Sequence, residues 1–304
     1  MSASLTHSAA PSIALVSARA ARGLDEDMPP LLSALQDAGA EVLVADWDDA
    51  QVDWRAFDLA LLRSTWDASI RLPEFLQWSE RVHSLTQLLN PLPVIRWNTD
   101  KHYLAALAEA GVPTVPTAFI EPGQDAGKGA AAFLSLHESR EVVVKPAVGS
   151  GSRDAQRHLV TERAAITEHI ERLVQAGRSA LIEPYLDLVE THGETALIYF
   201  GGRFSHAIRK GPMLRLGEQP TENLFAAETI TARTPTPQEI HVGEQALHAI
   251  PFGPLLYARV DLIRDAADRP CVLELELTEP SVFLVHEPGA AERFARAILD
   301  WILR

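Results

Sequence analysis

Residues 272–280 read VLELELTEP, a strand-like run carrying three glutamates. Successive strand side chains point to opposite faces, so Val272, Glu274, Glu276 and Thr278 are expected on one face and Leu273, Leu275 and Leu277 on the other. Glu274 and Glu276 are then same-face neighbours, roughly 7 Å apart at their Cα atoms. Acidic residues are depleted in strands, and like charges this close repel in a partly buried place unless a cation lies between them. A divalent metal resolves the conflict. An edge strand with one solvated face explains the same alternation.

Working outward, the preceding strand YARVDL (257–262) puts Arg259 and Asp261 on one face, opposite Ala258, Val260 and Leu262. Three carboxylates and an arginine can therefore line one antiparallel face. An oxygen-only set of this kind suits a hard cation such as Mg²⁺, which prefers carboxylates together with phosphate oxygens. A salt-bridge ladder of Arg259 with Asp261 or Glu274 is the competing account, since ion-pair networks mimic sites.

Upstream, Lys145 ends the apolar strand EVVVKP (141–146), immediately before a loop with Gly149, Ser150, Gly151, Ser152 and Arg153. A flexible backbone rich in N–H donors, with a lysine at its base and an arginine at its tip, can close over phosphates. Lys145 also reads as a strand-end lysine snorkelling to water, and the loop as a plain turn. The stretch LIEPYL (181–186) offers a strand end whose backbone can meet an adenine edge, with Tyr185 and Leu186 as an apolar wall; a core strand ended by Pro184 is the simpler reading. SHAIRKGP (205–212) supplies His206, Arg209 and Lys210, with surface charge a serious alternative for Lys210. RSTWD (63–67) places Arg63, Ser64, Thr65 and Asp67 at a strand's carboxyl end, where ligands sit in open α/β sheets.

Composition narrows the partners. The net charge of −14 argues against sequence-independent binding of nucleic acid or anionic membrane surfaces, so an anionic ligand must be held by a local cluster of cations. The single cysteine, Cys271, excludes an internal disulfide and suits a reducing cytoplasm. No apolar run approaches a membrane span, and residues 1 to about 11 read as a floppy tail. The first strand is followed by SARAARG rather than GxGxxG, no GK[ST] follows the glycine loop, and neither HExxH nor GxSxG occurs. Dinucleotide, P-loop, zinc-protease and serine-hydrolase chemistries lose their support.

The order of elements implies an α/β chain in three parts. Strand, helix and strand over 12–47, a third strand at 57–64 and a helix from about Leu72 to Leu89, before PVIRWN (93–98), make a small Rossmann-like domain over 12–97. A helix over 99–112 with a threonine or asparagine N-cap opens a second part, 98–185, which holds the Gly/Ser loop and a helix over 162–175. The third, 186–304, contains a hairpin joined at Gly201-Gly202, a loop over 211–235, a helix over 238–250, the two acidic strands and a final helix at about 289–303.

Taken in order, RSTWD, RWN-DK with Lys101, VVKPAVGSGSRD, EPYL, FSHAIRKGP and YARVDL…ELELTEPS resemble the ATP-grasp superfamily over essentially the whole chain. They are most similar to the group of glutathione synthetase and glutamate-adding ligases, and within it to the O-ureido-D-serine cyclo-ligases. The resemblance implies an ATP-grasp fold: an N-terminal Rossmann-like domain and two α+β lobes enclosing ATP. It implies Lys101 and Lys145 on the nucleotide phosphates, the loop Gly149–Arg153 closing over them, and Glu183, Tyr185 and Leu186 at adenine. Glu190 is the candidate for the ribose. Asp261, Glu274 and Glu276 would carry one or two Mg²⁺, with Arg209, next to Lys210, at the transferring phosphoryl group and Arg259 beside the metal. The family commonly has E-x-N where this chain has Glu-Leu-Glu, an extra carboxylate that also ligates Mg²⁺. Arg63, Ser64, Thr65, Asp67, His206 and Ser281 are the substrate candidates. The implied activity is a cytoplasmic carbon–nitrogen ligase that activates a small amino-acid carboxylate as an acyl phosphate. An intermolecular peptide ligase and a nucleotide-binding protein without turnover are the rivals; a homo-oligomer is compatible with the sequence.

Overall fold

The computed structural model describes residues 10–218, 224 and 229–303. Most of the expected N-terminal tail, and part of the expected 211–235 loop, lie outside those residues.

The first sheet is parallel. β1 (Ser12–Ser17), α1 (Met28–Asp37), β2 (Glu41–Asp46), β3 (Leu59–Ser64), α2 (Leu72–His83) and β4 (Gln87–Leu89) assemble in the order β2-β1-β3-β4. The helix expected to run to Leu89 stops at His83. Its buried stripe, Phe75, Trp78, Ser79 and Val82, ends there, whereas Leu88 and Leu89 are adjacent and both buried. A strand covered on both faces buries such a doublet; a one-sided helix does not. PVIRWN is helical, within α3 (Leu92–Asn98), because Pro91 and Pro93 suit a helix start.

The second sheet is antiparallel, with order β5-β8-β6-β7: β5 (Ala118–Ile120), β6 (Glu141–Pro146), β7 (Gln156–Leu159) and β8 (Ala180–Pro184). α4 (Tyr103–Glu109) precedes it, and α5 (Ala126–Leu136) and α6 (Arg163–Gln175) cover one face. α4 begins after His102, without a side-chain cap, rather than at an Asn98 or Thr99 cap, because the Asn98 amide is engaged elsewhere.

The third sheet, also antiparallel, runs β11-β10-β9-β12-β13. β9 (Glu194–Phe200) and β10 (Arg203–Lys210) follow the short helix α7 (Val189–His192) and form the expected hairpin. Within the segment expected as loop, Ile230–Arg233 forms β11 by pairing with the open edge of β10. α8 (Pro237–His248), β12 (Tyr257–Arg264), β13 (Pro270–Glu276) and α9 (Ala290–Ile302) complete the chain.

The N-terminal sheet does not keep a core to itself. Its β2–β4 aromatic side buries Trp47, Trp54, Phe75 and Trp78. On the other side, Ile13, Leu15, Leu31 and Leu61 share one cluster with Ile198, Phe200 and Ile208 of the third sheet and with Phe294 and Ile298 of α9. Phe200 and Phe294 stack at 4.3 Å.

β13 is an edge strand of its sheet, yet its edge does not meet water. The Asn98 amide donates to Leu275 O at 2.7 Å and its oxygen accepts from Leu277 N at 2.7 Å; Tyr103 Oη accepts from Leu275 N at 3.0 Å. Asn90, fully buried, donates to Tyr257 O and Leu277 O and accepts from Leu256 N. Val272 pairs with Pro113 and Val115. Side chains thus complete the ladder a further strand would have supplied.

Beneath β9, α8 opens with a capping box, Thr236 and Glu239 each bonding the other's backbone N–H. Glu239 is 2% exposed, accepts from Thr195 Oγ1 at 2.8 Å and lies 3.5 Å from Arg264. Burial alone would push its carboxyl up; the Thr236 and Thr195 donors and Arg264 outweigh it and bring it down to about 2 from 4.5. A depressed carboxyl stabilises the fold above its unfolded value and loses that contribution as pH falls through its folded one. Glu239→Gln should therefore cost about 2 kcal/mol at neutral pH. In denaturant titrations the gap from wild type should close between about pH 4.5 and pH 2; a gap independent of pH would contradict the assignment.

Candidate active site

β12 and β13 supply one wall. Their register pairs Arg259 with Glu276 and Asp261 with Glu274, then slips so that Leu262 faces Val272. Leu273 is the extra residue of a bulge. The alternation expected over 272–278 breaks there: Val272 joins Leu275 and Leu277 in the core, while Leu273 lines the cleft beside Val115, Val143, Tyr185 and Ile263.

Every acid on this wall meets a cation. Arg259 grips Asp261 through Nε and Nη2 at 2.8 and 2.9 Å, and Nη2 also bonds Glu276. Lys210 Nζ lies 3.2 Å from Asp261 and 3.3 Å from Glu194, and Lys101 Nζ 2.9 Å from Glu274. The ion-pair ladder left open by the sequence is therefore present. Among the described residues, no group of three or more His, Cys, Asp or Glu side chains is disposed to hold a metal. The all-oxygen set of Asp261, Glu274 and Glu276 nonetheless fits a hard cation in donor chemistry, two of its members being cross-strand partners.

The electrostatics follow from burial and these partners. Burial pushes Asp261 up, but Arg259 and Lys210 hold it below the usual carboxylate value; Lys101 and Lys145 do the same for Glu274. At Glu276 burial prevails over Arg259, reinforced by Asp261 and Glu274, and the carboxyl rises to about 7. Burial and the neighbouring Glu276 take Glu279 to about 8.

The second sheet supplies the facing wall. Lys145 Nζ lies 2.8 Å from Glu183, and the attraction of Glu183 and Glu274 overcomes burial to keep the lysine charged. Lys101 ties the two walls, its Nζ donating to Gly149 O at 2.7 Å as well as pairing with Glu274. In the loop, Gly151 and Ser152 have φ of 62° and 59°, and Ser150 Oγ meets Ser69 Oγ of the N-terminal part at 2.8 Å. Asp154, held by Arg172 at 3.0 Å and Arg178 at 2.5 Å, pins the loop's far end. At the hinge after β8, Arg157 lies 3.5 Å over the Tyr185 ring, Tyr185 Oη donates to Glu190 at 2.6 Å, and the Tyr185 N–H is taken by Glu141 O.

One cleft thus gathers Lys101, Lys145, Gly149 to Arg153, Glu183, Tyr185, Leu186, Lys210, Glu274 and Glu276, with Asp261 and Arg259 packed directly behind. Other candidates lie elsewhere. Arg209 points away from the cleft and donates to His192 O and Thr191 O; on a strand its neighbour Lys210 must face the opposite side, so Lys210 is the cation presented. Glu190 stands on the rim, outside the lining.

The six substrate candidates are also outside the lining. Arg63 Nη2 donates to Pro280 O at 3.0 Å, His206 Nε2 to Val282 O at 2.8 Å, and Arg259 Nη1 to Ser281 O at 3.0 Å. Asp27 accepts from the N–H groups of Val282, Phe283 and Leu284. Asp67 accepts from Trp47 and Arg71, Ser64 bonds Ser17, and Thr65 Oγ1 is buried without a partner. Arg63 and His206 thus form part of a collar around the backbone of 279–284, and Ser281 belongs to the backbone so held. Sequence reasoning missed Asn98, Glu194, Thr278 and Glu279, all on the cleft. Glu194 carried a signal, an acid heading the otherwise apolar GETALIYF.

The N-terminal sheet is matched by the family described as D-cycloserine synthetase DcsG, N-terminal domain, over residues 13–90. The cycloserine biosynthesis protein DcsG of Streptomyces lavendulae is 40% identical over 95% of this chain and 98% of its own length. The chain belongs to the DcsG family. The crystal structure of D-cycloserine synthetase DcsG superposes with a TM-score of 0.88 at 39% identity, over 96% of this chain and 99% of the other. D-alanine–D-alanine ligase from Bacillus anthracis complexed with ATP shares the fold, with a TM-score of 0.68 at 15% identity over 97% of this chain and 98% of that one. This chain is accordingly an enzyme of that family with the ATP-grasp fold. Among the described residues no helix is long and apolar enough to cross a membrane.

Gly193, between α7 and β9, has φ 74° and ψ −175°, and a Cβ there would stand 2.5 Å from Lys210 O and 2.8 Å from Arg209 Nε. That backbone region is essentially reserved for glycine. Gly193→Ala should cost about 2 kcal/mol and, by displacing the end of β10, lower turnover more than about tenfold. Unfolding curves and ADP release measure both; wild-type values in each would show that Lys210 does not depend on this approach.

Proposed function

We propose that this enzyme converts O-ureido-D-serine to D-cycloserine, using ATP to activate the substrate carboxylate. The observation that carries the reading is the lysine pair: Lys101 spans the acid wall and the Gly/Ser loop, with Lys145 opposite, in a chain 40% identical to a cycloserine biosynthesis protein.

Lys101, Lys145 and the N–H groups of Gly149 to Arg153 receive the phosphates, which explains how a protein of net charge −14 holds an anionic nucleotide. Tyr185, Leu186 and Leu273 form the apolar pocket for adenine, beside Glu183, and Glu190 at the rim takes the ribose hydroxyls. Asp261, Glu274 and Glu276 would hold one or two Mg²⁺, which would neutralise charge on the transferring phosphoryl group. Metal-free nucleotide is disfavoured, because it would meet those carboxylates directly. Lys210 and Arg259 keep Asp261 ionised and oriented, and Arg259 adds positive charge from behind the wall.

The substrate carboxylate attacks the γ-phosphorus, ADP departs, and an acyl phosphate results. The ureido nitrogen of the same molecule then attacks the acyl carbon and phosphate leaves, closing the ring; the carbamoyl group is lost with uptake of water. Ser150 against Ser69 shuts the loop on the N-terminal part and shields the acyl phosphate from hydrolysis.

Incubation with ATP, Mg²⁺ and O-ureido-D-serine should release ADP and give a product with the mass of cycloserine. A product joining two substrate molecules would indicate an intermolecular ligase instead. Glu276→Ala should reduce ADP formation at least about 100-fold while circular dichroism stays native; wild-type turnover in that variant would remove the metal assignment.

A further inference from the structure

Glu279 is the exception among the acids of the cleft. Glu183 pairs with Lys145, Glu194 with Lys210, Glu274 with Lys101 and Glu276 with Arg259. Glu279 lines the same cleft, yet its Oε2 is shut off from water with no hydrogen-bond donor, and no cation of the described residues lies within ion-pair distance. A desolvated acid without a partner is costly to ionise, and a cationic ligand that reaches it completes it.

The side chain is not free to retreat. Its own carbonyl takes the Trp66 indole N–H at 3.1 Å, and the next two carbonyls are held by Arg63 and Arg259 at 3.0 Å each. The backbone that presents Glu279 is therefore fixed from the N-terminal sheet and from β12 together. Along the chain, the cleft wall runs from the apolar Leu273, past Glu274 and Glu276, to Thr278 and Glu279, where Ala68 and Ser69 of the N-terminal part close it. Glu279 thus stands beyond the phosphate-facing acids, at the end left for the molecule that receives the phosphoryl group.

Resting on the amino-acid ligase reading above, we propose that Glu279 is a specificity-determining residue that receives the α-ammonium of the substrate. The substrate's carboxylate then points back toward the phosphate end while its ammonium completes the buried acid. The enzyme selects α-amino acids over carboxylic acids that lack the amine, because the latter leave Glu279 unpaired.

The test is a kinetic comparison on the full-length enzyme with two substrates, O-ureido-D-serine and its counterpart lacking the α-amino group, and three proteins: wild type, Glu279→Gln and Glu279→Asp. Wild type should prefer the amino acid by about 30-fold or more in kcat/KM. Glu279→Gln should raise KM for the amino acid by a similar factor, leave KM for ATP unchanged, and use the deaminated substrate as well as wild type does; Glu279→Asp, keeping the charge, should recover part of the loss. A fall in kcat at unchanged KM, or an equal loss with both substrates, overturns the proposal. Should Glu279→Gln not fold, wild type and Glu279→Asp decide it: indifference of wild type to the missing amine overturns it. Turnover by wild type with unaltered KM in Glu279→Gln refutes this inference alone, whereas silence of wild type toward the amino acid refutes the functional reading and this inference with it.

Discussion

The structure depends on pairing charges that β9, β10, β12 and β13 take out of water. Asp261 is 1% exposed and is satisfied only because Arg259 and Lys210 reach it from its own strand and from β10. Unpaired, such a carboxylate would cost several kcal/mol. Strand register in the third sheet is therefore set by electrostatics as much as by the apolar face, since a slip of one residue would send each charge to the opposite side. The proposed function builds on the same arrangement: Asp261 and Glu274, held ionised beside Lys210 and Lys101, would trade a cation of the protein for one that arrives with phosphate.

A second constraint is mechanical. β13 carries two of those acids at an edge, a position open to fraying, and the chain closes it with Asn90, Asn98 and Tyr103 rather than a strand. Immediately beyond, the backbone of 279–284 is gripped by Trp66, Arg63, Arg259, His206 and Asp27. The N-terminal sheet thus holds the acid wall in place, and the shared core of Ile13, Phe200 and Phe294 fixes the sheet itself.

Much of this was legible in the residues. Alternation named Asp261, Glu274 and Glu276, and a lysine before a glycine loop named Lys145, because side-chain chemistry facing a cleft leaves a mark in sequence. Three things left none. A one-residue bulge at Leu273 reverses the faces of Val272 and Leu273 without altering composition. A similar slip between Phe204 and His206 in β10, together with the exposed side of the hairpin, decides that Lys210 and not Arg209 meets the acids. Arg63 and His206 have the chemistry of substrate ligands, but their partners are backbone carbonyls 217 and 76 residues away, which every sequence offers equally. Asn98 was visible only as an N-cap, the commonest use of an asparagine ahead of a helix.

The most direct test of the exchange at the acid wall is a crystal structure with a non-hydrolysable ATP analogue and Mg²⁺. The account predicts an ion about 2.1 Å from oxygens of Asp261 and Glu274, with Lys101 moved from Glu274 onto phosphate. Phosphates bound while Lys101 keeps Glu274 and no ion touches either acid would contradict it.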